Sequence, residues 1–69
     1  MTRKEFINYI ESIGFKYNGW YFVYNKYKID LYNVEYSFYN GSEWFGYVYN
    51  DLRPLNQIER SYKFKKILG

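Results

Sequence analysis

The sequence predicts one two-layer α+β domain of order αββββα. It comprises an N-terminal helix, a four-stranded antiparallel meander and a C-terminal helix, together covering residues 1–69. Three observations lead there. Apolar residues recur with helical spacing over residues 2–13, switch to alternation between Trp20 and Tyr49, and return to helical spacing after Pro54. Consecutive strands between two helical segments, without βαβ alternation, call for an antiparallel sheet roofed by helices on one side.

The first helix is expected over Thr2–Ile13. Thr2 and Glu5 have the spacing of a capping box, in which each side chain bonds the other's backbone N–H. Phe6, Tyr9, Ile10 and Ile13 form one apolar stripe with Ile7 on its flank. Gly14 stands where a left-handed helix end belongs, and Phe15 can fold back on the last turn.

Four strands are expected at Trp20–Tyr24, Tyr27–Tyr32, Glu35–Tyr39 and Trp44–Tyr49. The dipeptide Tyr-Asn recurs at 17–18, 24–25, 32–33, 39–40 and 49–50, and Asn suits tight turns because it tolerates left-handed backbone. Two-residue loops at 25–26 and 33–34 pair Tyr24 with Tyr27 and Tyr32 with Glu35; a two- or four-residue loop at 40–43 pairs residues on the Phe38 side with residues on the Phe45 side. One face then collects Trp20, Phe22, Tyr24, Tyr27, Ile29, Leu31, Tyr36, Phe38, Phe45 and Tyr47. The other collects Tyr21, Val23, Lys28, Asp30, Tyr32, Glu35, Ser37, Tyr39, Trp44, Gly46 and Val48. A slip of one residue would scramble that division, so the division supports the register. Trp20–Tyr24 is read as an uncharged edge strand, a hazard unless it is paired, covered or used in a dimer.

Asp51 and Pro54 suit the start of a second helix over about 54–67, with Leu55, Ile58 and Tyr62 on one face. Phe64, Ile67 and Leu68 leave that face, and Ser61–Lys65 alternates as a strand does. A short helix followed by a fifth, edge-covering strand is therefore the competing reading.

Composition narrows the function. A chain of 69 residues buries only about 60% of its unfolded surface. There is no Cys to form a disulfide, and no Cys or His to hold zinc. A supplement to the core must come from large side chains, here aromatics at 28% that each bury roughly 150–250 Å², or from oligomerisation. With no His and no Cys nucleophile, no P-loop and no converging carboxylates, the sequence reads as non-enzymatic, with no catalytic residue, metal or cofactor. No apolar run approaches a membrane span, and residues 1–5 do not open a signal peptide, so a cytoplasmic protein without a membrane partner is expected. Ala is absent while Asn, Lys, Ile, Tyr and Phe abound, a bias of A/T-rich genomes that associates the chain with phages and mobile elements. The host cytoplasm would then be its setting.

Phe45-Gly46-Tyr47-Val48 resembles the core of the RNP1 strand of RNA-recognition motifs. The match ends there. Glu43, Trp44 and Asn50 depart from that pattern, and αββββα departs from βαββαβ, so the four residues are read as chance.

Three functions compete. The first is a protein-binding module, such as a small inhibitor of a host or defence protein, using Tyr21, Tyr32, Tyr39, Trp44, Asp30 and Glu35 on an aromatic, partly acidic face. The second is a single-stranded nucleic-acid binder that stacks bases on Tyr21, Tyr39 and Trp44. Its basic segment, Arg60, Lys63, Lys65 and Lys66, would meet phosphates. The acids Asp30 and Glu35 on the stacking face oppose it. The third is an assembly role in which the open face closes a homodimer or docks on a larger structure.

Overall fold

The computed structural model describes residues 1–68, and the sheet has five strands rather than the four expected. Helix α1 covers Arg3–Ser12. Thr2 Oγ1 accepts the Glu5 N–H at 3.1 Å and the Glu5 carboxylate accepts the Thr2 N–H at 2.8 Å, completing the capping box. Those bonds hold the Glu5 carboxyl below its ordinary value. At the other end Phe15 N–H reaches Ile10 C=O at 3.0 Å and Gly14 N–H reaches Glu11 C=O at 3.2 Å, the paired bonds of a Schellman motif. Gly14 takes φ 107°, and a Cβ there would lie 2.9 Å from the rings of both Tyr24 and Tyr62. Conformation and space each demand glycine.

The strands are β1 (Lys16–Tyr17), β2 (Phe22–Tyr24), β3 (Tyr27–Leu31), β4 (Glu35–Tyr39) and β5 (Trp44–Val48), antiparallel and in sequential order. Tyr24 faces Tyr27, Tyr32 N–H bonds Glu35 C=O at 2.8 Å, and Phe38 faces Phe45, in the register expected. Asn serves the turns in more than one way. Asn25 itself is left-handed at φ 52°, whereas Asn18 and Asn40 accept two following N–H groups each through Oδ1.

The first strand differs from expectation. Gly19 and Trp20 form a hairpin tip, with Gly19 at φ 104° and Asn18 N–H bonded to Tyr21 C=O, so extended pairing begins only at Phe22. Trp20, expected inside, is 78% exposed at that tip. Residues 16–17 supply the additional strand, and β2 is consequently paired on both sides instead of forming an edge. The true edges are β1 and β5.

The core lies between one sheet face and the helices. Phe6, Ile10, Ile13 and Phe15 meet Phe22, Ile29, Tyr36 and Phe38, with Tyr49, Leu55 and Ile58 completing the cluster. Phe6 packs 4.4 Å from the Tyr36 ring and 5.1 Å from that of Tyr49, centroid to centroid. Burying tyrosine requires a partner for its hydroxyl. Tyr36 donates to Asp51 C=O at 2.6 Å and Tyr49 donates to Tyr32 C=O. Phe45 sits on this inward face yet stays 42% exposed, so the core thins toward β5.

Helix α2 runs continuously over Arg53–Leu68, so the competing reading with a C-terminal strand does not hold. Asp51 accepts the Arg53 N–H at 3.3 Å and pairs with its guanidinium at 2.6 Å, which lowers the Asp51 carboxyl pKa. The i,i+4 pair Glu59–Lys63, at 3.3 Å, together with Lys65 and Lys66 in the last turn, favours helix over strand. Leu55 and Ile58 are buried, and Tyr62 packs edge-on against Tyr24 at 5.9 Å. Beyond them Phe64, Ile67 and Leu68 are largely exposed.

Candidate functional site on the open sheet face

Strand parity puts alternate side chains on the face away from the helices, and the register sorts them into rows. One row runs Lys16, Val23, Lys28, Tyr39, Trp44 across all five strands. The next holds Asp30, Ser37 and Gly46, with Tyr21 at the β1–β2 hairpin; the last holds Tyr32, Glu35 and Val48. Opposite charges are thus segregated, with Lys16 and Lys28 in the first row and the acids beyond it.

The aromatics converge. Trp44 lies 5.2 Å from the Tyr39 ring and 5.4 Å from the Tyr21 ring, although Tyr21 comes from the far side of the sheet. These side chains therefore lean along the sheet instead of standing away from it. Lys28 Nζ sits 5.5 Å from the Tyr39 centroid and 5.7 Å from that of Tyr21, within cation–π range. Beside this cluster Tyr21, Asp30, Tyr32, Ser37 and Trp44 line a groove. Asp30 and Ser37 come to it from the middle row, and Tyr32 donates its hydroxyl to Asp30 Oδ2 at 3.1 Å.

Five of the six residues expected here, Tyr21, Tyr32, Tyr39, Trp44 and Asp30, come together. Glu35 lies exposed in the last row, opposite Val48 at the edge. Lys28 and Ser37 complete the site and were not singled out from sequence. Their signal was parity, which puts both on this face. Lys28 also makes the face mixed in charge, so its acidic character is confined to one end.

The basic segment lies elsewhere. Arg60, Lys63, Lys65 and Lys66 belong to α2, which packs on the opposite side of the sheet. Lys63 is paired with Glu59 and Lys66 lies 5.5 Å over the Tyr62 ring. Sheet aromatics and helix cations therefore form no single surface. The aromatics of the RNP1-like segment, Phe45 and Tyr47, point toward the helical layer, so they are not offered as a stacking platform.

A second groove runs between the sheet and α2, lined by residues including Tyr27, Phe38, Gln57 and Ser61. The Glu5, Asp51 and Glu59 carboxyl pKa values are all lowered; for Glu59 the main cause is the Tyr9 hydroxyl beside it. Among the described residues no helix is long and apolar enough to cross a membrane, and no three His, Cys, Asp or Glu side chains gather as metal ligands. No family model matches the chain, and no curated protein or solved structure matches it either.

Proposed function

We propose that this chain is a non-enzymatic protein-binding module whose open sheet face docks on a larger protein. The observation that supports this most is the convergence of Tyr21, Tyr39 and Trp44 beside a groove that Ser37 and Asp30 help to line. Solvent-facing aromatics gathered on one rigid sheet provide the anchors from which interface hot spots are made. The groove's hydroxyls and carboxylate provide orienting hydrogen bonds, and Lys28 adds a cation at the centre. A small inhibitor of a host or defence protein agrees with an amino-acid composition rich in Asn, Lys, Ile, Tyr and Phe and lacking Ala, the residue bias of A/T-rich genomes.

Nucleic-acid binding is the second reading. A single strand lying on the aromatic face would meet Asp30 and Glu35 and would be out of reach of the α2 cations, which weakens the reading. Affinity capture with mass spectrometry, with and without nuclease, separates the two. Protein binding predicts a nuclease-resistant partner that a folded Tyr39→Ala/Trp44→Ala variant no longer captures. Capture abolished by nuclease, or unchanged in that variant, would contradict it.

A further inference from the structure

We infer that β5 is a self-pairing edge: two copies of the chain join β5 to β5, antiparallel and centred on Gly46, into one continuous sheet. The hydrogen-bond pattern identifies the free groups. Antiparallel pairs alternate between bonded and non-bonded, and Asn40 N–H bonds Glu43 C=O at 3.1 Å. Counting from there, Phe45 and Tyr47 spend their backbone groups on Phe38 and Tyr36 of β4. Trp44, Gly46 and Val48 direct theirs outward. The Val48 C=O is taken by Asp51 N–H at 2.9 Å, which leaves the other outward groups of these three residues facing away from the sheet.

An edge of this kind is normally blunted by charge, proline or brevity. The opposite edge, β1, is two residues long and carries Lys16. β5 is five residues, Trp-Phe-Gly-Tyr-Val, with no charge and no proline. It remains exposed on both faces, with Trp44 at 43%, Phe45 at 42% and Val48 at 56%.

The order of sizes argues for a second copy as occupant. Phe45 and Tyr47 flank the central glycine symmetrically, with apolar Trp44 and Val48 beyond them, so a twofold axis at Gly46 sets Trp44 against Val48 of the second copy and Phe45 against its Tyr47. A shift of two residues would leave one end of each strand unmatched. At the axis the two glycines exchange backbone bonds, with no side chain between the copies at that position. A Cβ at Gly46 meets nothing within 4 Å, so no intramolecular packing accounts for glycine there. Such a twofold keeps both open faces on one side, doubling the aromatic surface. Pairing of five residues per copy falls below a standard interface, so association is expected in the micromolar range. The inference stands apart from the identity of any foreign partner.

The chain has no cysteine, which permits a register-specific test. Residues opposed in a bonded antiparallel pair have Cα atoms about 5.5 Å apart, inside the disulfide window of about 4.4–6.8 Å. Under mild oxidation Gly46→Cys should cross-link to covalent dimer, while Ser42→Cys, which self-pairing does not place opposite itself, should lag at least tenfold. Sedimentation equilibrium of the parent chain should show reversible dimer. Gly46→Pro, which removes an outward N–H and no bond to β4, should weaken it about tenfold or more, with folding checked by circular dichroism. A parent that stays monomeric to about millimolar concentration would overturn the inference. So would a dimer indifferent to Gly46→Pro, or cross-linking at 46 no faster than at 42.

Discussion

Tyr36 and Tyr39 stand three residues apart on the same strand and have opposite employment. Tyr36 faces the helices, is fully buried, packs against the tilted Phe6 ring and commits its hydroxyl to a backbone carbonyl. Tyr39 faces away, is only half-buried, and lies against Trp44 and the ammonium of Lys28. One residue type thus fills the core on one side of the sheet and stands on the helix-free side on the other, and strand parity separates the two positions.

The largest expected effect is on the roofed side. Phe6→Ala removes the ring that bridges Tyr36 and Tyr49 and should cost about 3–5 kcal/mol. In a domain this small that approaches total stability, so the variant should be largely unfolded by circular dichroism at 25 °C. A variant with a normal urea transition would erase the distinction between the faces.

Alkaline pH sharpens it. Burial raises the phenol pKa of Tyr36, with Asp51 nearby adding to the effect. It does the same for Tyr9, where Glu59 contributes, and for Tyr49. Folding therefore holds these protons more tightly than the unfolded chain does. The associated stability is complete below the unfolded phenol value of about 10 and is lost as pH climbs past it. Urea midpoints should be flat between about pH 7 and 9 and should fall above about 10. Tyr36→Phe should lower stability by about 1–3 kcal/mol, since Asp51 C=O loses its donor, and should flatten the alkaline decline.

A smaller effect is expected at the helix start. Thr2→Ala deletes the acceptor for Glu5 N–H and should cost about 1 kcal/mol, read as a shift in thermal midpoint.

Much of this was legible in the chain. The capping box, Gly14, the three hairpin registers and the two faces all follow from short-range rules whose residues lie within a few positions of each other. Lys16–Tyr17 was not, because two residues are too few to show alternation; the Asn18-Gly19 dipeptide was its real signal, and reading Trp20 as strand concealed it. Trp20 and Phe45 have the parity of core residues, but burial also depends on how far the helices extend over the sheet. Periodicity does not carry that information. The last turns of α2 were ambiguous for a related reason. Phe64 and Ile67 follow no packed face and stay largely exposed. On the open face the aromatics were identifiable from parity, whereas their convergence on Lys28 arises from side chains leaning across several strands.

If the open-face aromatics serve contact rather than folding, equilibrium urea unfolding of Tyr39→Ala/Trp44→Ala will show it. Cross-strand aromatic pairs contribute roughly 0.2–1 kcal/mol each, so the variant should stay cooperative and lose no more than about 2 kcal/mol. A loss equal to that of Phe6→Ala would contradict the account, because those rings would then belong to the fold.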